Sequence, residues 1–204
     1  MSVAILLLAA GGSTRMRGGD KLLERLDGEP LLRRSARTAL DSDAGAVIAI
    51  TGANRDARSA ALADLPIRIV HNDAWQQGMG ASIAVGARAL NAEVQGAIIM
   101  SADMPDLTPA LLNRLIAALP PEDAQTILRP RGQGGAPGNP VLFGRAHIPA
   151  LAALSGDAGA RAILAAHPDA VCFVDMPGEA MLTDLDTPEA WATYRAGRRR
   201  DTKS

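Results

Sequence analysis

The chain has 204 residues, 48% of them hydrophobic, enough for one substantial core and too few for two ordinary domains. Its formal net charge of -1 supplies no general attraction for nucleic acid, so any affinity for phosphate has to be local. No run reaches the ~20 apolar residues of a membrane-spanning helix, no basic leader precedes the first apolar run, and a lone cysteine cannot close an internal disulfide, so a cytoplasmic protein with no membrane and no nucleic-acid partner is expected.

The first apolar run, Ala4-Ile5-Leu6-Leu7-Leu8-Ala9, has no polar alternation and predicts a central strand of a parallel sheet, covered on both faces. It continues into LAAGGSTRMRGGDK, Leu8 to Lys21, a glycine-rich cationic loop. Gly11 and Gly12 let the backbone turn with its N–H groups toward an anion, while Arg15 adds a planar fork and Lys21 a mobile point charge. The loop is therefore expected to grip a polyphosphate. It is not a Walker A loop, because Lys21 is preceded by Asp20 and followed by Leu22, with no hydroxyl ready for magnesium. Nor do Gly11, Gly12, Gly18 and Gly19 fall at dinucleotide-fingerprint spacing.

Beyond the loop, strand-like runs at 46–50, 67–70 and 96–100 alternate with helical patterns at 31–40, 55–62 and 81–90. This βα repeat predicts a three-layer α/β/α sandwich around a mostly parallel, Rossmann-like sheet with right-handed crossovers, and ligands beyond the carboxyl ends of the strands. Thr108-Pro109 and Thr187-Pro188 each place a capping hydroxyl before a proline at a helix start. The stretch 130–140 is too rich in glycine and proline for either element and reads as a mobile loop near a sheet edge or mouth, between the apolar runs 127–128 and 141–143. Cys172, in the apolar run 171–174, is expected to be a small core residue. Residues 1–195 form the single predicted domain, and the polar stretch 196–204 a frayed tail.

Asp103, in Ser101-Ala102-Asp103-Met104-Pro105, follows a predicted strand and so stands on the same rim as the glycine-rich loop, which makes it a metal-site candidate. Magnesium usually takes only one or two carboxylates beside substrate phosphates, so few acids suffice. In Thr183-Asp184-Leu185-Asp186-Thr187 the two aspartates share one side if extended, and either can also serve a turn. The segment 71–82 follows the third strand and opens a helix that Ser82 is expected to start, with its hydroxyl bonding either a ligand or its own backbone. Trp75 can stack on a base or simply pack. His71 and His147 have no partners at zinc-ligand spacing.

The loop resembles the MobA-like nucleotidyltransferases, whose signature is LAxGxSxRMGxxK. Leu8, Ala9, Gly11, Ser13, Arg15, Met16 and Lys21 fall in register, with Arg17 where a glycine is usual. Ala10, where the guanylyltransferase branch has a second glycine, looks more like the branch that handles molybdopterin with CTP. The resemblance implies the fold of the nucleotide-diphospho-sugar transferases. It implies a nucleotide site of Leu8, Ala9, Ala10, Gly11, Gly12, Ser13, Arg15, Lys21, Ser82 and Asp103. Asp103, in the family's DMP motif, and Asp186, in its DxDTPED pattern, would hold Mg2+, while Arg15 and Lys21 neutralise the triphosphate.

Asn139 resembles the family's GNPV element, and Gly156, Asp157 and Arg161 its GDxGAR element; these imply acceptor contacts, with Arg131 a weaker candidate. Gly156-Asp157 also reads as a turn and helix cap. The implied reaction transfers CMP from CTP to molybdopterin and expels pyrophosphate, with a molybdoenzyme or insertion chaperone as a possible protein partner. GTP, or a sugar- or polyol-phosphate acceptor, would suit the same fold. A reading from another class is a nucleotide-binding carrier without turnover, against which intact Arg15, Lys21 and Asp103 weigh.

Overall fold

The computed structural model describes residues 2–201, with side chains described through residue 198. In chain order the main elements are β1 (Val3–Ala9), β2 (Arg25–Leu26), β3 (Glu29–Pro30), α1 (Leu31–Leu40), β4 (Ala46–Thr51), α2 (Arg55–Leu62), β5 (Arg68–His71) and α3 (Met79–Arg88). They continue with β6 (Gly96–Ser101), α4 (Pro109–Ala118), β7 (Ile127–Arg131), β8 (Val141–Gly144), α5 (Ile148–Ala152), α6 (Arg161–Ala166), β9 (Val171–Asp175) and α7 (Pro188–Asp201).

The central sheet has seven strands in the order β5-β4-β1-β6-β8-β7-β9. β1 lies between β4 and β6, parallel to both, so its side chains are buried on both faces, as an unbroken apolar run requires. Val3, Ile5 and Leu7 join the layer under α1, α2 and α4, where Leu32, Leu62, Leu112 and Leu115 pack. Leu6 points into the opposite layer with Ile83, Leu151 and Ile163 of α3, α5 and α6. The three-layer sandwich with a mostly parallel sheet is thus the observed architecture.

β8 is the exception in direction. It runs antiparallel to both β6 and β7, which returns β7 to the direction of β6, and β9 is parallel to β7. The carboxyl ends of β1, β4, β6, β7 and β9 and the start of β8 therefore share one rim.

Four expectations need correction. The stretch 130–140 is a bonded turn: Gly132 N–H donates to the Ala136 carbonyl, Gly138 N–H to Pro130 and Asn139 N–H to Met181, at 3.2, 2.8 and 3.0 Å. Gly132 and Gly138 accommodate Glu179 and Met181 closely, while Gly135 supplies a left-handed backbone at φ 81°. Cys172 is exposed, because β9 is an edge strand without a covering helix over that position. Ser82 does not start α3, which begins at Met79 after Gly78.

Finally, α7 continues through residues 196–201, while 202–204 lie outside the described residues. Short side-chain tethers hold its last turns: Arg195 pairs with Glu24 at 2.8 Å and stacks on Trp191, and Arg198 pairs with Asp27. Trp191 itself closes a third apolar cluster with Met16, Leu26, Leu31 and Leu185, so α7 backs the glycine-rich loop.

Candidate active site

Two adjacent aspects of the sequence shape the loop after β1: small residues at its start and an acid, Asp20, just before Lys21. Ser13 and Arg17 adopt left-handed backbone at φ 52° and 51°, flanking a single 3-10 turn at Thr14–Met16. Gly12 has to lack a side chain, because a Cβ there would lie 2.9 Å from the Trp75 ring. Trp75 is therefore a packing residue against this loop. Among the described residues the N–H groups of Gly11, Gly12 and Ser13 donate to no protein acceptor, which leaves successive donors free for an anion.

The loop is pinned from beneath by Arg58 of α2, which is fully buried. Its Nε and Nη2 reach the two oxygens of Asp20 at 2.9 Å each, Nη1 reaches the Ala9 carbonyl at 2.8 Å, and Nη2 also reaches Ser13 Oγ at 3.3 Å. Burial pushes the Asp20 carboxyl up, but the hydrogen bonds from Arg58 and Asn54 outweigh it and hold the group below the usual carboxylate range. The pair fixes where Lys21 emerges, and the Lys21 N–H donates to Ser13 Oγ at 3.3 Å.

Lys21 meets both candidate metal acids. Its Nζ donates to Asp103 Oδ2 and, at 2.6 Å, to Asp186 Oδ1, while Arg15 pairs with Asp186 Oδ2 at 2.7 Å. Burial works to lower the Lys21 ammonium, yet Asp103 and Asp186 more than offset it and raise it above the ordinary lysine value. The backbone brings the acids together: Leu185 N–H donates to the Asp103 carbonyl at 3.1 Å. Asp184 stands nearby, and burial followed by repulsion from Asp186 and Asp103 pushes its carboxyl up.

The donor set fits a divalent cation. Asp103 Oδ1 is buried without a hydrogen-bond partner, and one oxygen from each acid already converges on a single positive charge. Among the described residues no group of three or more His, Cys, Asp or Glu gathers, which suits a hard cation completed by substrate phosphates and water more than a protein cage.

The 71–82 segment and the 156–161 element meet directly. Gly80 N–H donates to the Gly156 carbonyl at 2.8 Å, and a Cβ at Gly78 would lie 2.6 Å from that same carbonyl. Gly156 and Asp157 thus sit over the start of α3, and Arg161 is exposed as the first residue of α6. Ser82 is buried and accepts from Asn72 Nδ2 at 2.9 Å, while Asn72 Oδ1 accepts from Ala74 N–H at 3.0 Å. Asn139 is exposed just before β8, joined to Pro140 by a cis peptide. Arg131 is occupied by Asp175 at 2.7 Å and by the Phe173 ring.

Arg58, Asp20 and Asn72 were not singled out from the sequence. Arg58 was findable, because it lies four residues before Leu62 on the apolar face of an amphipathic helix.

The profile of the MobA-like NTP transferase domain matches residues 5–171. The chain is 32% identical over 195 residues to the nicotine blue oxidoreductase of Paenarthrobacter nicotinovorans, covering 90% of this chain and 92% of that one. It is 32% identical over 200 residues to the purine catabolism protein PucB of Bacillus subtilis (strain 168), covering 93% and 94%. Among solved structures, Rv0371c of Mycobacterium tuberculosis H37Rv in complex with manganese has a TM-score of 0.79 at 25% identity, covering 95% of this chain and 97% of that one. With the anion loop, the paired acids and the matched span agreeing, the chain belongs to the MobA-like nucleotidyltransferase family.

Proposed function

We propose that this nucleotidyltransferase transfers CMP from CTP to the phosphate of molybdopterin, releases pyrophosphate, and uses Mg2+ held by Asp103 and Asp186. The observation that carries the reading is the meeting of Lys21 with both aspartates at the foot of a loop with free N–H donors. CTP and molybdopterin are favoured by Ala10 and by the GDxGAR-like element, 156–161.

An oxygen of the acceptor phosphate attacks the α-phosphorus and forms the new P–O–P bridge, while the α–β bridging bond breaks and pyrophosphate leaves with its electron pair. The bound Mg2+ supplies neutralisation of phosphate charge. Lys21 turns from the carboxylates toward the triphosphate, and Arg15, exposed and joined to Asp186 only through a surface pair, closes over it. The free N–H groups of Gly11, Gly12 and Ser13 orient the phosphates, and no protein nucleophile takes part. Positioning of this kind can contribute about 7 to 11 kcal/mol. The acceptor lies against Asn139, Gly156, Asp157 and Arg161. The product is handed to a molybdoenzyme or its insertion chaperone.

Pyrophosphate release, measured with each of CTP, GTP, UTP and ATP plus Mg2+ and molybdopterin, tests this. Release with CTP above the others is expected. Release with GTP alone would overturn the nucleotide assignment, and none with any nucleotide would overturn the acceptor.

A further inference from the structure

Among the described residues, Arg58 is buried and several arginines are half-buried, each with a carboxylate. Arg58 has Asp20, Arg33 has Asp64, Arg34 has Asp27 and Arg195 has Glu24. Arg129 is half-buried on β7 and has none among the described residues; its protein partner there is the Gly138 carbonyl, which accepts from Nε at 3.2 Å. Partly burying a guanidinium is costly, and one neutral acceptor satisfies one of its five donors. The remaining fork matches the oxygens of a phosphate.

Its location points to the acceptor. Ile127 packs in the layer of α3, α5 and α6, and strand alternation places Arg129 on that same face, where α6 begins with Arg161. β7 is two places from β6, and the register sets Leu128 level with Ile98, so Arg129 starts about four residues short of Asp103 along the strands and its side chain has to extend toward the rim. It is three places from β1, which leads into the glycine-rich loop. Gly138, which holds Arg129, immediately precedes Asn139.

We infer that Arg129 binds the anionic group of the acceptor, a phosphate monoester, and so selects among acceptors. This rests on the nucleotidyltransferase reading above. Arg129 exchanges no proton in the transfer; it neutralises and orients the phosphate whose oxygen forms the new bond.

Arg129→Gln and Arg129→Lys, compared with the parent, test this in two ways. First, inorganic phosphate is titrated in the presence of CTP and the rise in Tm is followed. The parent should gain stability with phosphate, and Arg129→Gln should lose that gain while keeping the shift caused by CTP. Second, with molybdopterin as acceptor, KM for the acceptor should rise at least about tenfold in Arg129→Gln, the loss of a charge-assisted bond, with partial recovery in Arg129→Lys. KM for CTP should stay within about threefold. A phosphate response in Arg129→Gln equal to the parent's overturns the inference, whatever the turnover assay gives. Absence of pyrophosphate release from the parent overturns the acceptor reading instead, and the phosphate response still decides on Arg129.

Discussion

Arg58 and Asp20 form a buried fork-to-fork pair beneath the nucleotide loop, two parallel bonds of 2.9 Å, with Arg58 wholly enclosed. The same guanidinium holds the Ala9 carbonyl, so one side chain ties the end of β1 to the residue before Lys21. The geometry of the loop is thus set by a helix that contributes nothing to its surface.

Removing one partner of this pair should be costly. Arg58→Met leaves Asp20 without its cation while Ser13 Oγ, Asn54 Nδ2 and the Leu22 N–H still donate to it, for which a loss of about 3 kcal/mol, the low end for a broken buried pair, is expected. Arg58→Lys should lose part of it, since an ammonium cannot reproduce the fork. Urea midpoints at neutral pH check both values, and nucleotide binding should weaken in Arg58→Lys even where it remains folded.

The same pair predicts a pH dependence. Asp20 is held below the usual carboxylate range in the folded protein, so its stabilisation is present above the unfolded pKa of about 3.9 and is lost as pH falls through the lower folded value. In Asp20→Asn the stability curve below about pH 4 should fall less steeply than in the parent. Equal slopes in acid-titrated unfolding would contradict the assignment.

At the proposed metal site, Asp103→Asn should lower turnover by about 1,000-fold or more with the fold retained. Lys21→Ala should mainly raise the Kd for CTP, read by the thermal shift that nucleotide binding produces. Parent-like turnover of Asp103→Asn in magnesium would remove Asp103 from the site.

At Gly80 two effects oppose each other. Alanine is favoured over glycine in a helix by at most about 1 kcal/mol, less at the second position of α3, but its Cβ would lie 2.6 Å from the Ser155 carbonyl, where strain costs about 1 to 3 kcal/mol. Strain should win, and Gly80→Ala should be less stable and displace the 155–157 turn. A more stable variant by differential calorimetry would show that the turn moves freely.

Arg17 sits in left-handed backbone at φ 51°, where the family carries glycine. Both Arg17→Gly and Arg17→Ala delete the exposed pair with Glu189, so their difference isolates the backbone. The glycine variant should be the more stable by about 1 kcal/mol in urea unfolding.

Periodicity alone made much of the molecule legible. The α1 and α2 spans, the strands that include 4–9 and 46–50, and the capped starts at Thr108 and Thr187 follow from local spacing and cap chemistry, which act within a few residues. The signature from Leu8 to Lys21 likewise marked the family, because its residues lie within one short segment. What local pattern could not settle was everything that depends on partners distant in sequence. An edge position exposed Cys172, contacts with Glu179 and Met181 ordered the 130–140 turn, and the Arg195–Glu24 and Arg198–Asp27 pairs hold the last turns of α7. Only the tertiary structure joined Lys21 to Asp103 and Asp186, set Arg58 under Asp20, and left Arg129 without a carboxylate among the described residues. An isolated charge in the sequence carries no record of its counter-ion; chain closure supplies it.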